Sequence, residues 1–128
     1  MRKPHGDVMW TELMTRDLQG ALKYYRAVCG WHFQPFPLTM PGGGTYYIGS
    51  KGDKPVIGVL DLNTLPDTDH MAPQWFSYFA VRDLDAALKQ SEAAGGTIQR
   101  PPFEVPHIGR IAIVTDPTGA SLGLIVPA

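Results

Sequence analysis

The sequence predicts an α+β fold of two tandem βαβββ modules, with antiparallel-rich sheets curving around a shared cleft. Three observations carry this. Arg16-Asp17-Leu18 with Ala21-Leu22-Lys23 recurs as Arg82-Asp83-Leu84 with Ala87-Leu88-Lys89, an offset of 66 residues at which Ala27 also matches Ala93 and Gly30 matches Gly96. A repeat of that length in a chain of 128 residues means one domain built from two copies of a similar unit. Each copy also sets an apolar helical stripe directly behind an Asp suited to cap a helix. The remainder is short apolar runs punctuated by 14 Gly and 12 Pro, the pattern of strands joined by tight turns.

Module one runs from Asp7 to Leu62. Val8 to Met14 reads as a strand and Asp17 as the N-cap. Leu18, Ala21, Leu22, Tyr25 and Val28 then share one helical face, and Gly30 sits where a left-handed residue ends a helix. Trp31 to Phe36 is a strand, Pro41 to Gly44 a loop, Thr45 to Gly49 a short strand, Lys51 to Lys54 a turn, and Pro55 to Leu62 a further strand. Asn63 to Pro73 shows no periodicity and reads as a linker. Module two, Gln74 to Pro127, repeats the order. Gln74 to Val81 is a strand, and Asp83 caps a helix with Leu84, Ala87, Leu88 and Ala94 on its stripe, stopped at Gly95-Gly96. Thr97 to Arg100 is a strand, Pro101 to Pro106 a proline-rich connection, and Gly109 to Thr115 a β-branched strand. Asp116-Pro117-Thr118-Gly119 is a turn and Ala120 to Val126 the last strand.

Composition narrows the function classes. Hydrophobic residues are 44% and charged residues 18%, with a formal net charge of -1. No basic run offers a nucleic acid an electrostatic footprint. No apolar run approaches the ~20 residues of a membrane helix, and no apolar stretch follows the basic N-terminus as in a signal peptide. The single Cys29 has no disulfide partner within the chain, in agreement with a cytoplasmic location. Cys29 itself reads as a buried small residue closing the first helix. The Gly42-Gly43-Gly44 run lacks the following Lys-Ser/Thr of a phosphate loop and reads as a flexible hairpin loop over the cleft.

The doubled strand-helix-three-strand order, each helix opening with Asp-Leu, resembles the vicinal oxygen chelate superfamily. That group includes glyoxalase I, bleomycin-resistance proteins, fosfomycin-resistance enzymes and extradiol dioxygenases. The ending Asp116-Pro117-Thr118-Gly119 with its short apolar strand is similar to the superfamily's second-module ending. The resemblance implies a divalent ion held between the modules by His and Glu from the first and last strands of each. Aligned on the two Arg-Asp-Leu anchors, those positions are Trp10, Gly58, Phe76 and Gly123, none with a side chain able to ligate a metal. No cofactor is therefore expected. A divalent metal enters only if the strand alignment is wrong, and Glu12, His107 and the other histidines would then be its ligands.

Strand alternation places Glu12 with Trp10 and Tyr78 with Phe76. The expected cleft has Trp10 and Phe76 as flat walls, Glu12 and Tyr78 as polar points, and room beside Gly58 and Gly123. One of Tyr46 and Tyr47 must face the same way. His5, His32 and His70 read as solvated or structural. His107 and Arg110 lie on a loop where an anion or an acid-base role is conceivable. The leading expectation is a glyoxalase/bleomycin-resistance-like protein that binds a small apolar or aromatic molecule in the inter-module cleft, as a homodimer, without nucleic-acid or membrane partners. The alternative is a lyase, isomerase or dioxygenase with a displaced metal site or Glu12 as general base, assisted by Tyr78 or His107.

Overall fold

The computed structural model describes residues 5–37, 44–66 and 68–128. Among them the chain forms β1 (Val8–Thr15), α1 (Leu18–Cys29), β2 (His32–Pro35), β3 (Thr45–Lys51) and β4 (Lys54–Asp61). After a 3-10 turn at Leu62–Thr64 come β5 (Gln74–Ala80), α2 (Leu84–Ala93), β6 (Thr97–Val105), β7 (Gly109–Thr115) and β8 (Ser121–Pro127). The strand-helix-three-strand order is thus present twice, in a β-rich mixed fold with two helices. The described residues divide into two compact units, one within Trp10–Trp75 and a second in which residues 5–9 join Phe76–Ala128.

In the Trp10–Trp75 unit the strands lie in the order β2-β3-β4-β1. The β1–β4 pair is parallel, with Glu12 opposite Gly58, and the other pairs are antiparallel. Helix α1 covers one face of this sheet through Leu13, Leu22, Ile57 and Val59, with Leu18, Ala21, Tyr25 and Tyr47 packed around them. Asp17 caps the helix by accepting from Gly20 N–H at 3.0 Å, and Gly30 ends it at φ 70°. Both roles follow from orphan backbone groups at helix ends. Cys29 corrects the expectation of burial: it is exposed. The last turn of α1 leaves the sheet, and Val28, one residue before, is already 62% exposed.

The stretch after Leu62 is anchored rather than merely spanning. Arg16 donates to the carbonyls of Thr68 and Met71, and its own carbonyl accepts from Asn63 Nδ2 at 2.6 Å. Buried Thr68 turns its hydroxyl to the Leu62 carbonyl at 2.8 Å.

The second unit has the strand order β5-β8-β7-β6, with β5–β8 parallel and Tyr78 opposite Gly123. Helix α2, capped by Asp83 on Ala86 N–H at 3.1 Å, packs its Leu84 and Leu88 with Val81, Ala112 and Val114. The N-terminal residues belong here through Gly6 N–H to the Ala80 carbonyl at 2.7 Å and Arg82 N–H to His5 Nδ1 at 3.0 Å. Strand β6 extends further than expected, continuing through Pro101 and Pro102 to Val105. It lies at the end of the strand order and pairs with β7 alone, with register shifts between Ile98 and Phe103. Prolines without N–H donors are tolerated at such an edge or bulge.

These contacts set an expected hierarchy of stabilities. Leu84→Ala, which empties a site 2% exposed, should cost about 2–5 kcal/mol in urea unfolding. Asp17→Ala, which removes a cap, should cost about 1 kcal/mol. Val28→Ala should stay within about 0.5 kcal/mol.

Candidate functional site

In the Trp10–Trp75 unit the sheet face opposite α1 gathers Trp10, Glu12, Tyr46 and Gly58. Leu13 and Val59 face the helix, so period-two alternation sends Glu12 and Gly58 the other way. The same alternation separates the two tyrosines of β3. Tyr47 packs in the α1 cluster, whereas Tyr46 reaches Trp10 and Glu12. Tyr46 is therefore the one that joins the candidate site.

The polar groups here are linked in series. Trp10 Nε1–H donates to the Tyr46 hydroxyl oxygen at 2.7 Å, and that hydroxyl donates to Glu12 Oε1 at 2.8 Å. Glu12 is only 5% exposed, and a carboxylate so buried needs donors to be tolerated. Phe36 closes on the Tyr46 ring edge-on at 6.2 Å. Burial first, and then the Glu12 charge and hydrogen bond, push the Tyr46 phenol well above the ordinary phenol range; the Trp10 donor opposes them. Tyr46 is thus a fixed neutral phenol. Gly58 makes room for it: a Cβ built at Gly58 would overlap the Tyr46 hydroxyl and come within 2.9 Å of Trp10 Nε1.

In the second unit Phe76, 3% exposed, meets Tyr78 edge-on at 5.2 Å. The Tyr78 ring lies across Gly123, whose Cβ would overlap the ring edge and stand 3.1 Å from Cγ. Arg110 is not with them. Its strand neighbours Ala112 and Val114 face α2, and Arg110 pairs with Asp85 of that helix at 3.4 Å. The Gly123 neighbours Leu122 and Leu124 also face α2, so Tyr78 and Arg110 occupy opposite faces of one sheet. His107 stands at φ 69° in the β6–β7 turn, and with Arg82, Glu104, Arg110 and Val126 it lines a separate open cavity of about 470 Å³. Arg82 was marked by the repeat only as a fold anchor, and nothing in the spacing of Glu104 marks it. Gly42 and Gly43 of the expected loop lie outside the described residues.

These residues do not fit the superfamily's metal. The four aligned positions hold an indole, a phenyl ring and two glycines, and the volumes beside the glycines are filled by Tyr46 and Tyr78. Among the described residues no three His, Cys, Asp or Glu side chains are grouped to hold an ion.

The model of the Glyoxalase/Bleomycin resistance protein/Dioxygenase superfamily matches residues 8–124. The chain belongs to that superfamily. The provisionally named glyoxylase CFP32 of Mycobacterium tuberculosis is 33% identical over 119 residues, covering 93% of this chain and 45% of that protein. The anthracycline biosynthesis protein DauV of Streptomyces sp. (strain C5) is 34% identical over 120 residues, 94% of this chain and 41% of that protein. The chain therefore spans less than half the length of these superfamily relatives. The crystal structure of a methylmalonyl-CoA epimerase from Mycobacterium tuberculosis superposes with a TM-score of 0.65 at 16% identity, over 96% of this chain and 88% of that one, a likeness of fold alone. No helix among the described residues is long and apolar enough to cross a membrane.

The raised Tyr46 value fixes the pH behaviour. A neutral phenol favoured by the fold stabilises fully below the unfolded tyrosine value, about 10, and that stabilisation is lost as pH rises toward the folded one. Wild type and Tyr46→Phe should therefore develop equal tyrosinate absorbance at about pH 11 while both remain folded. The stability difference between them should shrink as pH climbs above about 10.

Proposed function

We propose that this superfamily member binds a small, flat, apolar or aromatic molecule and does so without the superfamily's metal. Within the Trp10–Trp75 unit the ligand would stack against Trp10 and be oriented by Glu12. The single observation that carries this reading is the buried Trp10–Tyr46–Glu12 chain of hydrogen bonds. It keeps one carboxylate in a fixed orientation among aromatic rings, and pockets for small molecules combine apolar walls with a few such polar points. The relatives named for anthracycline biosynthesis support the same ligand class, since anthracyclines are polycyclic aromatics.

Titrating the protein with a polycyclic aromatic such as an anthracycline, while following tryptophan fluorescence, tests this. Saturable quenching is expected, and Trp10→Ala and Glu12→Gln should each weaken it about tenfold or more, about 1.4 kcal/mol. Linear, non-saturating quenching that neither substitution alters would refute it.

A second reading is favoured by the same hydrogen bond. A buried carboxylate beside a neutral phenol sets a proton acceptor next to a proton donor, so Glu12 would serve as general base in a lyase or isomerase. Solvent-proton exchange into dicarbonyl substrates should then fall by about 100-fold or more in Glu12→Gln. Equal exchange rates would remove this reading.

A further inference from the structure

The superfamily's last-strand position is a glycine in both halves of this chain, and in both halves a tyrosine occupies the volume the missing side chain would take. The two tyrosines arrive from different places. In the second unit Tyr78 of β5 lies across Gly123, its direct partner on the parallel strand β8. In the Trp10–Trp75 unit the ring comes from β3: Tyr46 is opposite Leu60, two residues along β4 from Gly58, and leans diagonally over Gly58. Diagonal neighbours at that separation lie within reach of an aromatic side chain. Here the atom standing over the glycine is the hydroxyl oxygen, already bonded to Trp10 and Glu12.

We propose that Tyr46 is a positioning residue installed in place of the last-strand ligand: its hydroxyl fills the volume any side chain at residue 58 would need, and from there it fixes Glu12 and Trp10. A phenol at 46 and a side chain at 58 are then mutually exclusive. Where a side chain from β4 would stand, this chain has a hydrogen-bond bridge from β3. The use of the held carboxylate in binding rests on the reading above; the exclusion between residues 46 and 58 does not.

Gly58→Ala, Tyr46→Leu and the double variant test it. Gly58→Ala should lower the thermal midpoint by about 5 °C or more, whereas adding it to Tyr46→Leu should move the midpoint by less than about 2 °C. In folded Gly58→Ala the displaced Tyr46 should ionise reversibly near the ordinary phenol value, about 10, adding one tyrosine to the wild-type alkaline titration. Tyr46→Phe, which keeps the ring and drops the hydroxyl, should shift the Trp10 indole N–H resonance and weaken aromatic-ligand binding as Glu12→Gln does. Equal cost of Gly58→Ala in both backgrounds, or no cost in wild type, would overturn the proposal. If Gly58→Ala does not fold, a double variant that folds like Tyr46→Leu supports it, and one that also fails to fold overturns it. If wild type binds no aromatic ligand, the midpoint and titration results still decide the exclusion, and only the function reading fails.

Discussion

A single phenol oxygen organises the candidate site. Tyr46 accepts from the Trp10 indole and donates to the Glu12 carboxylate, with both distances below 3 Å at 2.7 and 2.8 Å. Each member answers a need of the next. The buried carboxylate requires a donor, the donor's oxygen takes the indole N–H, and the indole N–H has a partner in turn. Losing the hydroxyl would therefore disturb two groups at once, which is why such networks behave as a unit rather than as separate bonds.

The core on the other face of the sheet decides whether this bridge can form. Leu13, Ile57 and Val59, packed beneath α1 against its Leu22, set which residues of β1 and β4 turn away from the helix. A slip of one residue would turn Trp10 and Glu12 toward α1 and bring Leu13 to the site face. Parallel pairing then brings Glu12 level with Gly58, and the absent Cβ at 58 admits the phenol. The helix cap at Asp17 and the stop at Gly30 matter to the site through this packing, since they place α1 on the sheet. In the second unit the same plan is filled differently, by a ring from the first strand of the module rather than from its third element of sheet.

Much of this was legible in the sequence, for physical reasons that can be named. The repeat and the two Asp caps give the helices, because orphan N–H groups demand an acceptor at a fixed place. Alternation gives the face shared by Trp10 and Glu12 and the separation of Tyr46 from Tyr47. What alternation cannot give is which tyrosine crosses to which glycine, since that depends on register between strands distant in sequence. The same limit hid the Arg110–Asp85 pair, since Asp85 stands on α2, 25 residues before Arg110. Pro101 and Pro102 read as a break because proline removes a ladder donor, yet the edge position of β6 makes that donor dispensable. Cys29 read as a buried small residue at the end of α1, yet it is exposed, as is Val28 of the apolar stripe one residue before. His5 read as solvated or structural; its partner, the Arg82 backbone N–H, lies 77 residues along the chain, where spacing does not reach.

The most direct test of the central claim is zinc titration followed by the Trp10 indole N–H resonance, with metal analysis of the same samples. A site held together by the Tyr46 bridge predicts negligible bound zinc and a Trp10 resonance that does not move. Near-stoichiometric zinc accompanied by a shift of that resonance would mean a metal competes for the same groups, and would contradict the account.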